Sequence, residues 1–253
     1  MPEPALPASP PASAAPAPAL DGTVETRDEV GRLASVAHFR AGLLDGEFVR
    51  YAPEGPPGEP RPALRSHFKA GQLDGETVLY DANGWVAQRL AYRLGQMHGE
   101  LAVYAAGKVL RRSSYAYGLL DGPTQAYDEA GQLTSELHYR AGKLDGESVA
   151  YAPGGRVVRR AQYRADLLHG EVLSYYDTGE LEERAPYEAG LLHGTVVRYE
   201  KDGGVREKAA FRLGQPVGEP VAYDAKGRPK KKPKKPGEQP FLNKMAIKHF
   251  GGG

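Results

Sequence analysis

Cysteine is absent from the 253 residues, which excludes disulfides, thiolate zinc sites and cysteine nucleophiles. Tryptophan occurs once, methionine three times and phenylalanine six times, too few large side chains for a thick interior. No apolar run approaches the roughly 18 residues that a spanning helix needs. The opening MPEPALPASPPASAAPAPAL lacks both the basic start and the unbroken apolar core of a secretory leader, so a cytoplasmic location is expected. There is no G-x-S-x-G, no Walker A sequence and no dinucleotide-binding glycine fingerprint that follows a strand and opens a helix. Neither an enzyme nor a cofactor is expected.

What the chain has in quantity is glycine (32), proline (21) and tyrosine (15), with only 40% apolar residues. That balance suits a turn-rich β protein. The formal net charge is +1, but nine of the 33 basic and one of the 32 acidic residues fall in 225–253. The tail therefore carries +8 and the rest −7, and each part can attract its own partner.

The chain repeats. Aromatic residues followed by x-x-Gly stand at Phe39, Phe68, Tyr92, Tyr115, Tyr139, Tyr163, Tyr187 and Phe211. They are separated by 29, 24, 23, 24, 24, 24 and 24 residues. Twelve residues after each comes a tyrosine: Tyr51, Tyr80, Tyr104, Tyr127, Tyr151, Tyr175, Tyr199 and Tyr223. Five residues before each of these comes a glycine: Gly46, Gly75, Gly99, Gly122, Gly146, Gly170, Gly194 and Gly218. A fixed period of this length marks a repeat architecture of eight units.

Within a unit, GQLTSELHYR places Leu133, Leu137 and Tyr139 on one parity and Thr134, Glu136, His138 and Arg140 on the other, the period of a half-buried strand. The connection AGKLDG then leads to GESVAY, in which Val149 and Tyr151 share a parity, and APGG leads to the next copy. Each unit is expected to be a hairpin with glycines in its turns. No segment from Gly22 to Tyr223 has a helical period. The expected fold is all-β: an elongated single-layer antiparallel sheet of eight tandem hairpins over 23–224. Its sixteen strands, about 4.8 Å apart, would extend roughly 75 Å. A Pro/Ala-rich disordered arm (1–22), a basic Lys/Pro-rich linker (225–240) and a short amphipathic tail (241–253) flank it.

The segments YRAGKLDGESVAY, FRAGLLDGEFVRY, YEAGLLHGTVVRY and FKAGQLDGETVLY resemble the MORN repeat, and more closely the bacterial variant of the YwqK-type antitoxin family. The resemblance covers roughly residues 31–224. It implies a cytoplasmic antitoxin or immunity role, with a toxin or secreted effector as partner. Departures are Asp166 in place of the first glycine, Pro123 in place of the glutamate after Gly122, and the insertion APEGPPGEPRP between the first two units.

Several rows invite a chemical reading. His98, His169 and His193 replace the aspartate of Asp45, Asp74, Asp121 and Asp145. One such residue per unit at a turn tip suits side chain to backbone hydrogen bonding better than a metal site, which needs three or four converging ligands. Glu47, Glu76, Glu100, Glu147, Glu171 and Glu219 form a periodic ladder, whereas paired catalytic carboxylates need unlike surroundings. Arg65, Arg89, Arg112, Arg160, Arg184 and Lys208, with Arg40, Lys69, Arg93, Arg140, Arg164 and Arg212, lie on the face opposite the first aromatic row. They read as a cross-strand ion-pair surface rather than a phosphate track, so no specific nucleic acid is expected. Trp85 reads as a packing residue.

The row Tyr80, Tyr104, Tyr127, Tyr151, Tyr175, Tyr199 and Tyr223 is the candidate partner-binding face, because tyrosine supplies rigid amphipathic contact area. A protein partner or a second copy of the chain would occupy it. In the tail, Lys226, Arg228, Lys230, Lys231, Lys232, Lys234 and Lys235 precede Leu242, Met245, Ala246 and His249. This part reads as a cap on the last hairpin, a docking peptide or an attachment to anionic lipid.

Overall fold

The computed structural model describes residues 20–53 and 59–230. Residues 1–19 of the arm, 54–58 of the insertion, and Lys231, Lys232, Lys234, Lys235 and the amphipathic segment of the tail lie outside them. The described chain holds twenty antiparallel strand segments in one open sheet and no helix. Each strand pairs with its predecessor and its successor in sequence. Three strands are split into two segments each, at Lys143–Leu144 and Gly146–Tyr151, at Leu191–Leu192 and Gly194–Tyr199, and at Gln215–Pro216 and Val221–Ala222. The sheet is therefore a meander of seventeen strands.

Sixteen were expected. The added strand is Gly22–Arg27, paired from Gly22 opposite Phe39 to Arg27 opposite Leu33. Its signal was present: Leu20-Asp21-Gly22 stands 24 residues before Leu44-Asp45-Gly46. It is half a unit, with Arg27 where the tyrosine belongs.

The six-residue connection AGKLDG is also corrected. The turn is only Ala141-Gly142, with φ of 48° and 81°, and Lys143 and Leu144 already pair with Arg140 and Tyr139. Two successive residues of positive φ make the hairpin turn whose twist matches that of the strands. Asp166, the departure from glycine, takes the same position at φ 70°, a conformation aspartate tolerates better than most residues, and its Oδ1 accepts the Leu144 N–H of the preceding hairpin at 2.8 Å.

The second unit glycine lies within a strand. In the hairpin of Val157–Arg164 with Leu167–Tyr175, Ala161 faces Val172 and Tyr163 faces Leu168. His169, Gly170 and Glu171 thus bulge opposite Gln162 alone. Such bulges increase the local twist. Across the other edge of the same strand the pairing is regular from Gly170 to Ser174, and Gly170 sits directly opposite Tyr187. The relation recurs at Gly46 and Phe68, Gly75 and Tyr92, Gly99 and Tyr115, Gly122 and Tyr139, Gly146 and Tyr163, and Gly194 and Phe211. Each glycine thus stands opposite the first-row ring of the next unit, and the place a side chain would take is crowded by the strand across the bulge, as where an added Cβ at Gly46 would lie 3.1 Å from His38 Cβ.

The unit ends differ only in loop length. The common link is a short turn in which an aspartate caps the backbone, as where Asp81 Oδ1 accepts the N–H groups of Asn83 and Trp85, both at 2.9 Å. The 23-residue spacing arises because this turn shrinks to Ala106-Gly107, both at positive φ. Trp85 packs over Gly107, where an added Cβ would lie 3.0 Å from the indole. The insertion is closed at its base by the Ala52 N–H donating to the Arg61 carbonyl at 2.9 Å.

At the C-terminal end, YDAKGRPK (223–230) repeats the pattern of YDEAGQLT (127–134). Asp224 Oδ1 caps the N–H groups of Lys226 and Arg228, and the Lys230 N–H donates to the Ala222 carbonyl at 2.8 Å. The stretch expected to stay out of the sheet therefore begins in register with it.

Candidate binding faces

Both faces of the single sheet carry a row of rings. The first face holds Phe39, Phe68, Tyr92, Tyr115, Tyr139, Tyr163, Tyr187 and Phe211, each within a strand or at its end. Its buried residues form two clusters. One joins Leu90, Tyr92 and Leu101, with Leu73, Leu79, Met97, Val103 and Tyr115 packed on it. The other joins Ala161, Val172, Ala185, Val196, Ala209 and Phe211. Phe48 meets Phe68 edge to face, with centroids 6.1 Å apart. This row forms much of the interior of the sheet, over which the described residues lay no second layer.

Burial raises the phenol pKa values of Tyr92, Tyr139 and Tyr187 above the ordinary 10.0, because the phenolate loses hydration. The folded state therefore keeps these protons longer than the unfolded chain does. Their contribution to stability is whole below about pH 10 and is lost as pH rises through the raised values. We expect phenolate ultraviolet absorbance to show a late-titrating subset of tyrosines, and urea midpoints to fall between about pH 9 and about pH 11. Substituting Tyr92, Tyr139 and Tyr187 by phenylalanine should flatten that fall.

The second face carries the predicted tyrosines. Tyr151 follows Glu147 and Val149 by parity, and Val149 faces Arg160 across the strand pair. The fields of Tyr175 and Tyr151 both act on the Arg160 guanidinium. Tyr80, Tyr104, Tyr127, Tyr151, Tyr175, Tyr199 and Tyr223 are all half-buried. Between them runs the ladder of Arg65 with Glu47 (3.8 Å), Arg89 with Glu76 (3.2 Å), Arg112 with Glu100 (2.9 Å), Arg160 with Glu147 (3.0 Å) and Arg184 with Glu171 (3.0 Å). The partners are exposed enough that each rung contributes only about 0.5 kcal/mol.

The ladder breaks at two rungs, at Pro123 with Glu136 and at Thr195 with Lys208. Where Pro123 and Glu136 replace the pair, Gln125 donates to Glu136 Oε2 at 2.7 Å and receives the Tyr127 hydroxyl at 2.8 Å. At the C-terminal end Lys208 lies over the Tyr223 ring, 5.5 Å from its centroid. Of the basic tail, Lys226, Arg228 and Lys230 fall on the turn and strand that close the sheet. Arg228 is committed to Asp224, with Nε to Oδ2 at 3.0 Å.

The aspartate row lies in the bulges, not at turn tips as expected. Each carboxylate there reaches the next hairpin. Asp45 accepts the Ala70 N–H, Asp74 that of Leu94, Asp121 that of Ala141 and Asp145 that of Ala165, at 3.0–3.3 Å. Asp21, in the half unit, does the same for Ala41. His98 instead meets the Tyr117 ring edge-on with centroids 5.4 Å apart. Among the described residues no three His, Asp or Glu side chains converge on a metal-sized site.

Residues 120–141 and 168–189 match the family described as MORN repeat variant. Each matched segment runs from the second leucine after one two-residue turn to the first residue of the next such turn, so it comprises a bulged strand, the loop and the following strand. The same register of glycine and ring extends through the other units.

No curated protein matches the chain. Among solved structures, the crystal structure of TcdB2-TccC3-Cdc42 is similar at 15% identity over 83% of this chain and 13% of that one, with a TM-score of 0.22. The Tc holotoxin pore of Photorhabdus luminescens is similar at 14% identity over 79% and 14%, with a TM-score of 0.16. The chain spans about one seventh of the length of these structures.

Proposed function

We propose that this repeat scaffold is non-catalytic and binds a protein partner along its second face. The observation that carries the reading is the row of half-buried tyrosines held in one register over successive hairpins, with no helix or second sheet laid over it among the described residues. Rings recur every two strands, about 9.6 Å apart. They supply rigid apolar contact, and the ion-pair ladder supplies a polar surround, which is the composition that protein interfaces use. The YwqK-type resemblance gives the partner's class: a toxin or secreted effector bound in the cytoplasm.

The alternative is attachment to anionic lipid. The arginine stripe suits it poorly, since five of its members are already neutralised by glutamate. The lysines of the tail would have to carry it.

The test is a pull-down from the native cell with three baits: the full chain, a chain ending at Lys230, and a Tyr151→Ser, Tyr175→Ser double variant. One stoichiometric protein held by the first two and lost by the third is the expected result. Capture that depends only on residues after Lys230, or sedimentation with anionic vesicles alone, overturns it.

A further inference from the structure

We infer that the first face contains a ligand site of its own, a pocket between Tyr139 and Tyr163 that takes an apolar group bearing a carboxylate. This is independent of the proposal for the second face.

The pocket is a cavity of about 300 Å³. Its origin is a packing step along the sheet. Facing pairs down this row are Phe48 with Ser66, Thr77 with Leu90, Leu101 with Ser113, Thr124 with Leu137, Ser148 with Ala161, Val172 with Ala185 and Val196 with Ala209. In every pair but one, at least one partner is larger than serine or alanine. Ser148 with Ala161 is the exception, and the cavity lies there. Tyr139, Tyr163, Leu144 and Arg159 are among the residues that line it.

Two polar groups in this apolar depression lack partners. Ser148 is 8% exposed, and its Oγ is buried without a hydrogen bond, as is Arg159 Nε. Burial of an unpaired hydroxyl and an unpaired guanidinium N–H is unfavourable, so native sites seldom retain them without a purpose. Arg184 Nε is likewise buried without a hydrogen bond, but Arg160 and Arg184 each hold a glutamate through Nη1 at 3.0 Å. No ion pair forms at Arg159 among the described residues.

A ring or branched chain between the two tyrosines would fill the space, its carboxylate would accept from Arg159, and Ser148 would donate to it. The volume lies at the lower end for ligand pockets and suits a group of single-residue size. Such a group could be a free aromatic acid or the C-terminal residue of a peptide.

The experiment titrates the full chain with 3-phenylpropionate, N-acetylphenylalanine, N-acetylphenylalanine amide and a short Gly/Ser peptide ending in phenylalanine, following the ring resonances of Tyr139 and Tyr163. The acids should shift these resonances, and the amide should bind about tenfold more weakly. Tighter binding by the peptide assigns the source to a protein C-terminus, and tighter binding by 3-phenylpropionate assigns it to a free acid. Arg159→Gln should weaken the acids about tenfold and leave the amide unchanged. Ser148→Val installs the residue found at Val172 and Val196, so the fold is retained; it should raise the melting temperature and abolish the shifts. No shift with any acid, or equal binding of acid and amide in the wild-type chain, overturns the proposal.

Discussion

Replacing Gly146 by alanine should cost about 3 kcal/mol of unfolding free energy, near the upper end for a single backbone strain. Gly146 has φ of +122°, outside the left-handed helical well that other residues can enter at modest cost. An added Cβ would also lie 3.1 Å from His138 Cβ, in the strand paired to it across the bulge. Nothing at that contact can rotate away, because both atoms are fixed by backbone. Gly131 gives the control: it sits at φ +83° with nothing within 4 Å of the place a methyl group would take, so Gly131→Ala should cost only about 1 kcal/mol. Urea denaturation followed by far-ultraviolet dichroism compares the two. Equal losses would show that the bulge does not demand glycine.

The second large effect is expected at Tyr92. Its ring is 8% exposed, lies opposite Gly75 and packs with Leu90 and Leu101 in the N-terminal cluster. Tyr92→Ala should cost about 3–4 kcal/mol, the range for emptying a buried aromatic site. Tyr104→Ala, on the other face and half-buried, should cost about 1–2 kcal/mol. Since each hairpin touches only its neighbours, a loss at Tyr92 should uncouple the two halves of the array and lower the urea slope as well as the midpoint. Equal costs for the two tyrosines would contradict the assignment of the rows to an inner and an outer face.

The period was legible in the sequence because a repeated environment demands repeated residues, and the alternation of Leu137, Tyr139 and His138 read directly as a strand. What parity could not supply was the relation between the two aromatic rows. They stand twelve residues apart, which suggests a shared face. A two-residue turn, however, pairs an odd position with an even one, as at Tyr139 with Leu144, so the rows separate to opposite faces. The reading of Asp145 as a turn residue failed for the same reason: the turn is shorter than its glycines suggested. The half unit at Gly22–Arg27 escaped notice because Arg27 replaces the tyrosine used for alignment. Ser148 and Arg159 are ordinary residues in sequence, and they become distinctive only when register shows which small side chain faces which.

The carboxylates that bridge successive hairpins have a mechanical consequence. The bridges at Asp21, Asp45, Asp74, Asp121 and Asp145 stitch each strand pair to the next. At His98 and His193 the imidazole Nδ1 is buried without a hydrogen bond, so no such stitch forms there through that atom. The sheet is thus a strip with perforations, and its tear lines are written by the choice of aspartate or histidine at one position per unit. Under tension it would part first at the histidine units, His98, His169 and His193, releasing intact blocks of hairpins instead of fraying evenly from its ends.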